Sequence, residues 1–286
     1  MKIKKLLTHD GVFHADEIFA IALIKCVFSS VIIKVERTRD ITTDDMEDPE
    51  IWVLDQGKVY NPELHNFDHH QEKELESTNV LVLEYLKEQK YLIEGLYERL
   101  IWPFESISEI DRNGSESLGL DNVFHVNALI RALNSSGDTI DPSVRFEDAV
   151  YVAMLYIDSM MQFISNKIKW KAAYDNSKLV YDVIAELHAD DPFPVNWKEY
   201  ATHPFLVERQ GSDPDKYKWK LHSCDSKEYP IKATGRENFI HVNKFIAVYD
   251  TLEKMIESAK LQQDTYKDKP LKSKDNGEIQ LLDKNS

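Results

Sequence analysis

Ile51-Trp52-Val53-Leu54 is apolar at every position and stops abruptly at Asp55. A strand with apolar side chains on both faces does not suit a sheet with one wet side. It suits a parallel sheet covered above and below. Val31 to Val35 has the same two-faced, β-branched texture, and Lys2 to Leu7 is a third strand candidate, ending at Thr8-His9. Between them, Ile18, Phe19, Ala22 and Cys26 recur close to helical spacing, which predicts a helix from about His14 to Phe28. Strands alternating with a helix predict an α/β fold with a mainly parallel sheet flanked by helices. In such sheets ligands gather beyond the carboxyl ends of the strands. His9 and Asp55 both fall at such ends.

Further along, Tyr60-Asn61-Pro62-Glu63 reads as a turn. Helical patterns run from Asn79 to about Val183, with breaks expected near Trp102-Pro103 and around Gly137 to Pro142; Phe146 to Tyr174 is the longest helix candidate. From Thr202 the texture changes. Phe205 to Val207, Lys218 to His222 and Phe239 to His241 read as short strands, followed by a helix from Lys244 to Ala259. The expected organisation is an α/β domain over residues 1–185, a smaller α+β unit over 190–260, and a mobile polar tail over 262–286.

The chain carries 35 basic and 50 acidic residues, a formal net charge of −15. That argues against a broad basic surface holding long nucleic acid by counterion release. It leaves room for a phosphate-bearing substrate, provided that bound divalent ions supply the positive charge. Only Cys26 and Cys224 are present, too few for a disulfide scaffold, and they fit a reducing compartment. The basic start turns polar at Thr8, too soon for a signal peptide, and no apolar stretch reaches the length of a membrane span. A cytoplasmic protein that avoids membranes is the expectation.

Five of the ten histidines (His9, His14, His65, His69 and His70) lie in the first quarter of the chain, each near an acidic residue. Imidazole and carboxylate together suit manganese, iron or zinc better than calcium. The lack of nearby thiolates argues against a structural zinc site. Ligands spread over several strand ends could hold two ions, which would activate a shared water and stabilise the leaving oxygen of a phosphoryl transfer. Singly, each residue has a plainer reading: His9 as a hydrogen-bonded histidine, Asp55 as a turn cap. His125, His188, His203 and His222 sit in no grouping and read as structural.

Thr8-His9-Asp10-Gly11-Val12-Phe13-His14-Ala15-Asp16-Glu17 resembles the opening motif of the MYG1 (UPF0160) family, a branch of the DHH phosphoesterase superfamily. Val53 to Gly57 and Tyr60 to Gln71 resemble its second and third motifs. Glu109 to Gly114 is similar to its Asp-bearing fourth motif, Ile130 to Asn134 and Phe239 to His241 are looser matches, and the resemblance runs over roughly residues 3 to 260. It implies a DHH-like N-terminal domain with a C-terminal domain closing over a centre of two divalent ions, manganese or alternatively magnesium. The implied ligands are His9, His14, Asp16, Asp55, His69 and Asp111, with Asp55 bridging. His70 would donate to a phosphate oxygen or the leaving group, and Asp68 would orient a histidine. Arg131 and His241 are the implied contacts to substrate phosphate. His241 is followed by Val242-Asn243-Lys244, a departure from the family's small, Gly-containing residues.

The activity so implied is hydrolysis of phosphodiester bonds by a two-metal-activated water, as a 3′-to-5′ exonuclease on RNA or short oligonucleotides. Two rivals share the motifs: a small-molecule phosphohydrolase acting on pyrophosphate, a nucleotide or a cyclic dinucleotide, and a metal-binding protein without catalysis.

Overall fold

The computed structural model describes residues 2–120, 123–134, 142–188, 191–210, 218–269 and 271. The chain forms two compact units, Met1–Ile164 and Ser165–Ser286.

In the first unit, β1 (Lys5–Thr8), α1 (Ala15–Val27), β2 (Lys34–Arg37), α2 (Thr43–Glu47) and β3 (Ile51–Leu54) alternate along the chain. Two very short strands follow, β4 (Tyr60–Asn61) and β5 (Asn66–Phe67). The sheet order is β2-β1-β3-β5-β4, parallel except for the antiparallel β4–β5 pair. All four residues of β3 are buried, as a strand apolar on both faces requires. The second strand sits later than its apolar run predicts. Ile32 is wholly exposed, and Lys34–Arg37 pairs with β1 instead, because this edge strand needs only one buried face.

Helix α1 is buried almost all round, from Ala15 to Ile24. It packs against α3 (Thr78–Glu88) and α4 (Leu96–Asn113), where Phe19 meets Phe104 edge to face. The expected break at Trp102-Pro103 does not occur. Pro103 lies inside α4, which runs unbroken to Asn113. Its ring removes one N–H, so one carbonyl in the preceding turn goes without its helical bond, a local cost that the buried face of Leu100, Phe104 and Ile107 offsets. Helix α5 (Val126–Asn134) and the part of α6 (Pro142–Asp175) up to Ile164 complete the elements of this unit, with Ile130, Phe146, Ala149 and Ala153 in the same core. The break predicted around Gly137 falls on residues 135–141, outside the described residues.

The second unit is a six-stranded sheet of order β10-β11-β9-β8-β7-β6, antiparallel except where β7 pairs with β8. Its strands are β6 (Lys178–Tyr181), β7 (Ile184–Glu186), β8 (Phe205–Gln210), β9 (Lys218–Ser223), β10 (Phe239–Ile240) and β11 (Ile246–Tyr249), followed by α7 (Leu252–Tyr266). The helical reading up to Val183 fails at β6 and β7. Lys178 to Glu186 is instead a tight hairpin whose Val183, Ile184 and Ala185 enter the second core. The last helix starts at Leu252 rather than Lys244, since Ile246–Tyr249 pairs with β9 and Thr251 caps the helix by accepting from the Lys254 N–H. It continues through Gln262 and Tyr266, both buried, so these residues of the expected tail are part of the fold. Residues 272–286 lie outside the described residues. Among the described residues, no helix is long and apolar enough to cross a membrane.

Candidate metal centre

The centre assembles at the carboxyl ends of β1, β3 and β5. His9 follows β1 and leads into a loop that turns at Gly11, whose φ of +86° suits a residue without a side chain. The loop is held from three sides. Arg37 donates to the Gly11 carbonyl at 2.6 Å, and its guanidinium lies 4.5 Å from the Phe146 ring centre and 5.6 Å from that of Phe13. The Asn134 amide brackets Phe13, accepting from its N–H at 3.1 Å and donating to its carbonyl at 2.6 Å. The His14 N–H donates to Glu17 Oε2 at 2.9 Å, which fixes the entry into α1. Asp16 and Glu17 thus lie in the first turn of α1, where the helix dipole favours carboxylates.

Asp55 takes a left-handed φ of +55° directly after β3, a conformation that Asp tolerates better than most residues. Its N–H donates to the Phe67 carbonyl at 3.0 Å, and the Thr78 hydroxyl lies 3.3 Å from its Oδ1. Asp68, His69 and His70 follow β5, and Asp111 comes from the last turns of α4.

These side chains converge. His9 Nε2 is 3.1 Å from Glu17 Oε1 and 3.3 Å from Asp55 Oδ2. On the other side of Asp55, His69 Nε2 is 3.4 Å from Asp55 Oδ1, 3.4 Å from Asp111 Oδ2 and 3.8 Å from Asp16 Oδ2. The two oxygens of Asp55 therefore face two separate groups of donors. His14 is half exposed and stands between them, within ligand-sharing distance of His9, Glu17 and Asp55 and of Asp16 and Asp111.

The electrostatics are those of crowded acids. Burial pushes Asp16 well above the ordinary carboxylate range, helped by repulsion from Asp55, Asp111 and Glu17. Burial likewise raises Glu17 to about 7 and raises Asp111, which also faces Asp55. Asp55 goes the other way: burial favours its neutral form, but the His69 and His9 rings outweigh it and hold the group low. Asp55 and Glu17 in turn raise His9 to about 11.

A pair of divalent cations fits this arrangement. Both oxygens of buried Asp16, Glu17 Oε1 and His69 Nε2 make no hydrogen bond. The close approaches of His9 to Glu17 and of His69 to its carboxylates are thus proximities without hydrogen-bond alignment, as expected of lone pairs aimed at a common point. Leaving each such atom buried and unsatisfied costs about 1–3 kcal/mol, which a bound ion would remove. His9, His14, Glu17 and Asp55 form one potential ligand group; on the other side Asp55, His69 and His70 form a second and His14, Asp16 and Asp111 a third, with His69 Nε2 within 3.8 Å of Asp16, Asp55 and Asp111. All are N and O donors. Cys26 lies elsewhere in the core, with its thiol directed at the Met154 carbonyl.

The structure brings together all six sequence-expected ligands: His9, His14, Asp16, Asp55, His69 and Asp111. Glu17 joins them unforeseen. The signal was present, since two adjacent acids on a helix that is apolar elsewhere on all faces have no wet side to occupy. Asp68 accepts from His70 Nδ1 at 2.7 Å and from its N–H at 3.0 Å, and so orients His70. That bond raises the His70 ring's affinity for a proton. His65 is structural. It stacks on Trp52 at 4.5 Å, its Nδ1 lies 2.7 Å from the Pro49 carbonyl, and its Nε2 lies 2.7 Å from the Tyr85 hydroxyl. A cavity of about 820 Å³ opens over the centre, lined by His14, His69, His70, Lys73, Asp111 and Arg131 among others. Of the two residues expected at substrate phosphate, Arg131 is therefore in this wall. His241 belongs to the second unit, where its Nδ1 accepts from the Asn243 N–H at 3.1 Å and its ring packs on Phe245.

The model of the uncharacterised protein family UPF0160 (MYG1_exonuc) matches residues 5–82. Over this segment the chain is similar to that family. The segment contains every ligand candidate except Asp111. Among curated relatives, the mouse MYG1 exonuclease is 41% identical over 64 residues, which is 22% of this chain and 16% of the relative. The Chlamydia pneumoniae MYG1 protein is 42% identical over 89 residues, 30% of this chain and 29% of the relative. The human MYG1 exonuclease is 36% identical over 74 residues, 26% and 19% of the two chains. The matched segments thus span less than a third of each of these MYG1 relatives. An exopolyphosphatase-related protein from Bacteroides fragilis aligns over 93% of both chains at 13% identity, with a TM-score of 0.25 that carries no further argument.

Proposed function

We propose that the chain is a divalent-metal-dependent phosphodiesterase, acting with manganese as a 3′-to-5′ exonuclease on RNA or short oligonucleotides. The observation that carries the reading is Asp55, whose two oxygens each face a separate group of N and O donors in a buried site rich in unsatisfied acceptors. The MYG1 exonuclease names of the relatives point the same way.

His9, His14, Glu17 and Asp55 would hold one ion and Asp16, Asp55, His69 and Asp111 the other. Two such ions, when bound, supply activation of water and neutralisation of charge on the phosphoryl oxygens. The chain's own residues do the rest. Asp68 fixes the His70 ring through Nδ1, which leaves Nε2 to hand a proton to the leaving oxygen at the cavity wall. Arg131 lines the same wall and is placed to meet a non-bridging phosphate oxygen. The net charge of −15 favours short single strands gripped near one end over long duplexes. The two cysteines, Cys26 and Cys224, are both buried and suit a reducing compartment such as the cytoplasm.

The test is release of nucleotides from a 3′-labelled and a 5′-labelled oligoribonucleotide with manganese, beside the Asp55→Asn variant and metal analysis of both proteins. Loss of activity and of bound metal in the variant is expected. Full activity in Asp55→Asn would end the proposal. Cleavage of pyrophosphate or mononucleotides in preference to the oligomer would move the reading to a small-molecule phosphohydrolase.

A further inference from the structure

A second cavity, of about 640 Å³, opens on the first unit between α4, α5 and α6. Its walls are chiefly apolar, and two aromatic side chains stand along it in water: Trp102 is 74% and Phe124 78% exposed. Side chains of this size gain most from being covered, so their exposure beside a groove marks a binding surface. Ile110 and Asn127 line both this groove and the cavity over the metal centre, so the two spaces adjoin across the same stretch of α4 and α5.

Asn127 stands at that junction, only 8% exposed. Its Nδ2 donates to the Ile107 carbonyl at a long 3.4 Å, and its Oδ1 accepts no hydrogen bond. A buried amide oxygen without a donor is suited to an N–H or O–H that arrives with a ligand. No role in the hydrolysis proposed above uses it.

We propose that this groove is a base-binding subsite. It takes bases of a single-stranded oligonucleotide whose scissile phosphodiester lies at the metal centre, stacked on Trp102 and Phe124. Asn127 Oδ1 accepts from an exocyclic amino group or a sugar hydroxyl. Trp102 precedes Asp111 by nine residues on α4, roughly 13 Å along the helix axis. Nine residues also turn the helix by about two and a half revolutions, so a strand reaches Trp102 by passing round α4 along Ile110 and Asn127. The axial length alone matches about four stacked nucleotides, so the platform serves bases at least that far from the cut. Aromatic faces accept every base, which gives a sequence-tolerant grip. They also need no cationic surface, which suits a chain of net charge −15. A substrate made of phosphate alone has nothing to place in the groove.

The proposal rests on the phosphodiesterase reading, and its test separates the two. Trp102→Leu and Phe124→Ala, both at exposed positions, are compared with Trp102→Phe on an eight-nucleotide RNA and on a small chromogenic phosphodiester. The KM for RNA is expected to rise roughly tenfold in the Leu and Ala variants and to stay near wild type in Trp102→Phe. The kcat on the chromogenic ester should not change. Binding is read independently of catalysis by quenching of tryptophan fluorescence on adding RNA in the presence of a chelator, a signal that Trp102→Phe should diminish. If wild type cleaves no phosphoester but is quenched by RNA, the subsite stands and the hydrolytic reading falls. An unchanged KM in both Trp102→Leu and Phe124→Ala would overturn the subsite. A concentration-dependent dimer that Trp102→Leu dissociates, with RNA binding intact, would overturn it too and assign the groove to a second copy of the chain.

Discussion

Loading the centre with metal at neutral pH should expel protons. His9 is raised to about 11 by Asp55 and Glu17, so at pH 7 its ring carries a proton that a metal-ligating nitrogen must give up. Glu17, at about 7, carries half a proton on average. Asp16 is pushed well above the ordinary range and adds up to one more, whereas Asp55 is held low and adds none. Occupation of both sites should therefore release about two protons per chain. Because the metal-free form binds more protons, affinity rises with pH. The product of the two association constants should climb roughly 100-fold per pH unit around neutrality. Calorimetric titration with manganese in two buffers of different ionisation enthalpy gives the proton count directly, and repeating it at pH 6.5 and 7.5 gives the slope. Release of less than about half a proton with both sites filled, or an affinity indifferent to pH, would refute the reasoning that these acids and His9 share one cage.

Asp68→Asn should lower kcat about 10- to 100-fold with KM little changed, because His70 loses the carboxylate that orients it; steady-state kinetics on an oligonucleotide checks this. Phe104→Ala empties a fully buried site against Phe19 and should cost about 3–5 kcal/mol in a denaturant titration. In the second unit, Glu208 is held below its usual range first by the hydrogen bond from His222, 3.0 Å away. A lowered carboxylate stabilises above its unfolded value of 4.5, and that contribution is lost as pH falls through the lower folded value. Glu208→Gln should thus cost about 1 kcal/mol at pH 7, read as a lower Tm, with the two proteins converging in acid.

The clustering of the candidate residues was largely legible because several of them follow apolar runs that end where the sheet ends. Ile51 to Leu54 could only be an interior strand, so Asp55 had to stand at its end, and His9 did so after β1 by the same logic. Asp111 was legible only through resemblance, since nothing in the pattern of α4 separates it from a solvated acid. Readings failed where tertiary contacts overrode local texture. Val31 to Val35 looked like an interior strand, yet the register with β1 starts at Lys34 and leaves Ile32 in water. β4 and β5 have two residues each, too few for any periodicity to register. Val183 to Ala185 had an apolar texture compatible with either element, and pairing with β6 and β8 decides for a strand.

The backbone at Asp55 carries a consequence for how this protein can change over time. Its φ of +55° disfavours β-branched side chains on steric grounds, and Glu would carry its carboxylate one methylene further from the main chain than Asp does. Asn suits the conformation equally well but offers one anionic oxygen too few for two cations. Main-chain geometry and ligand chemistry thus restrict the position independently, and Asp meets both demands at once.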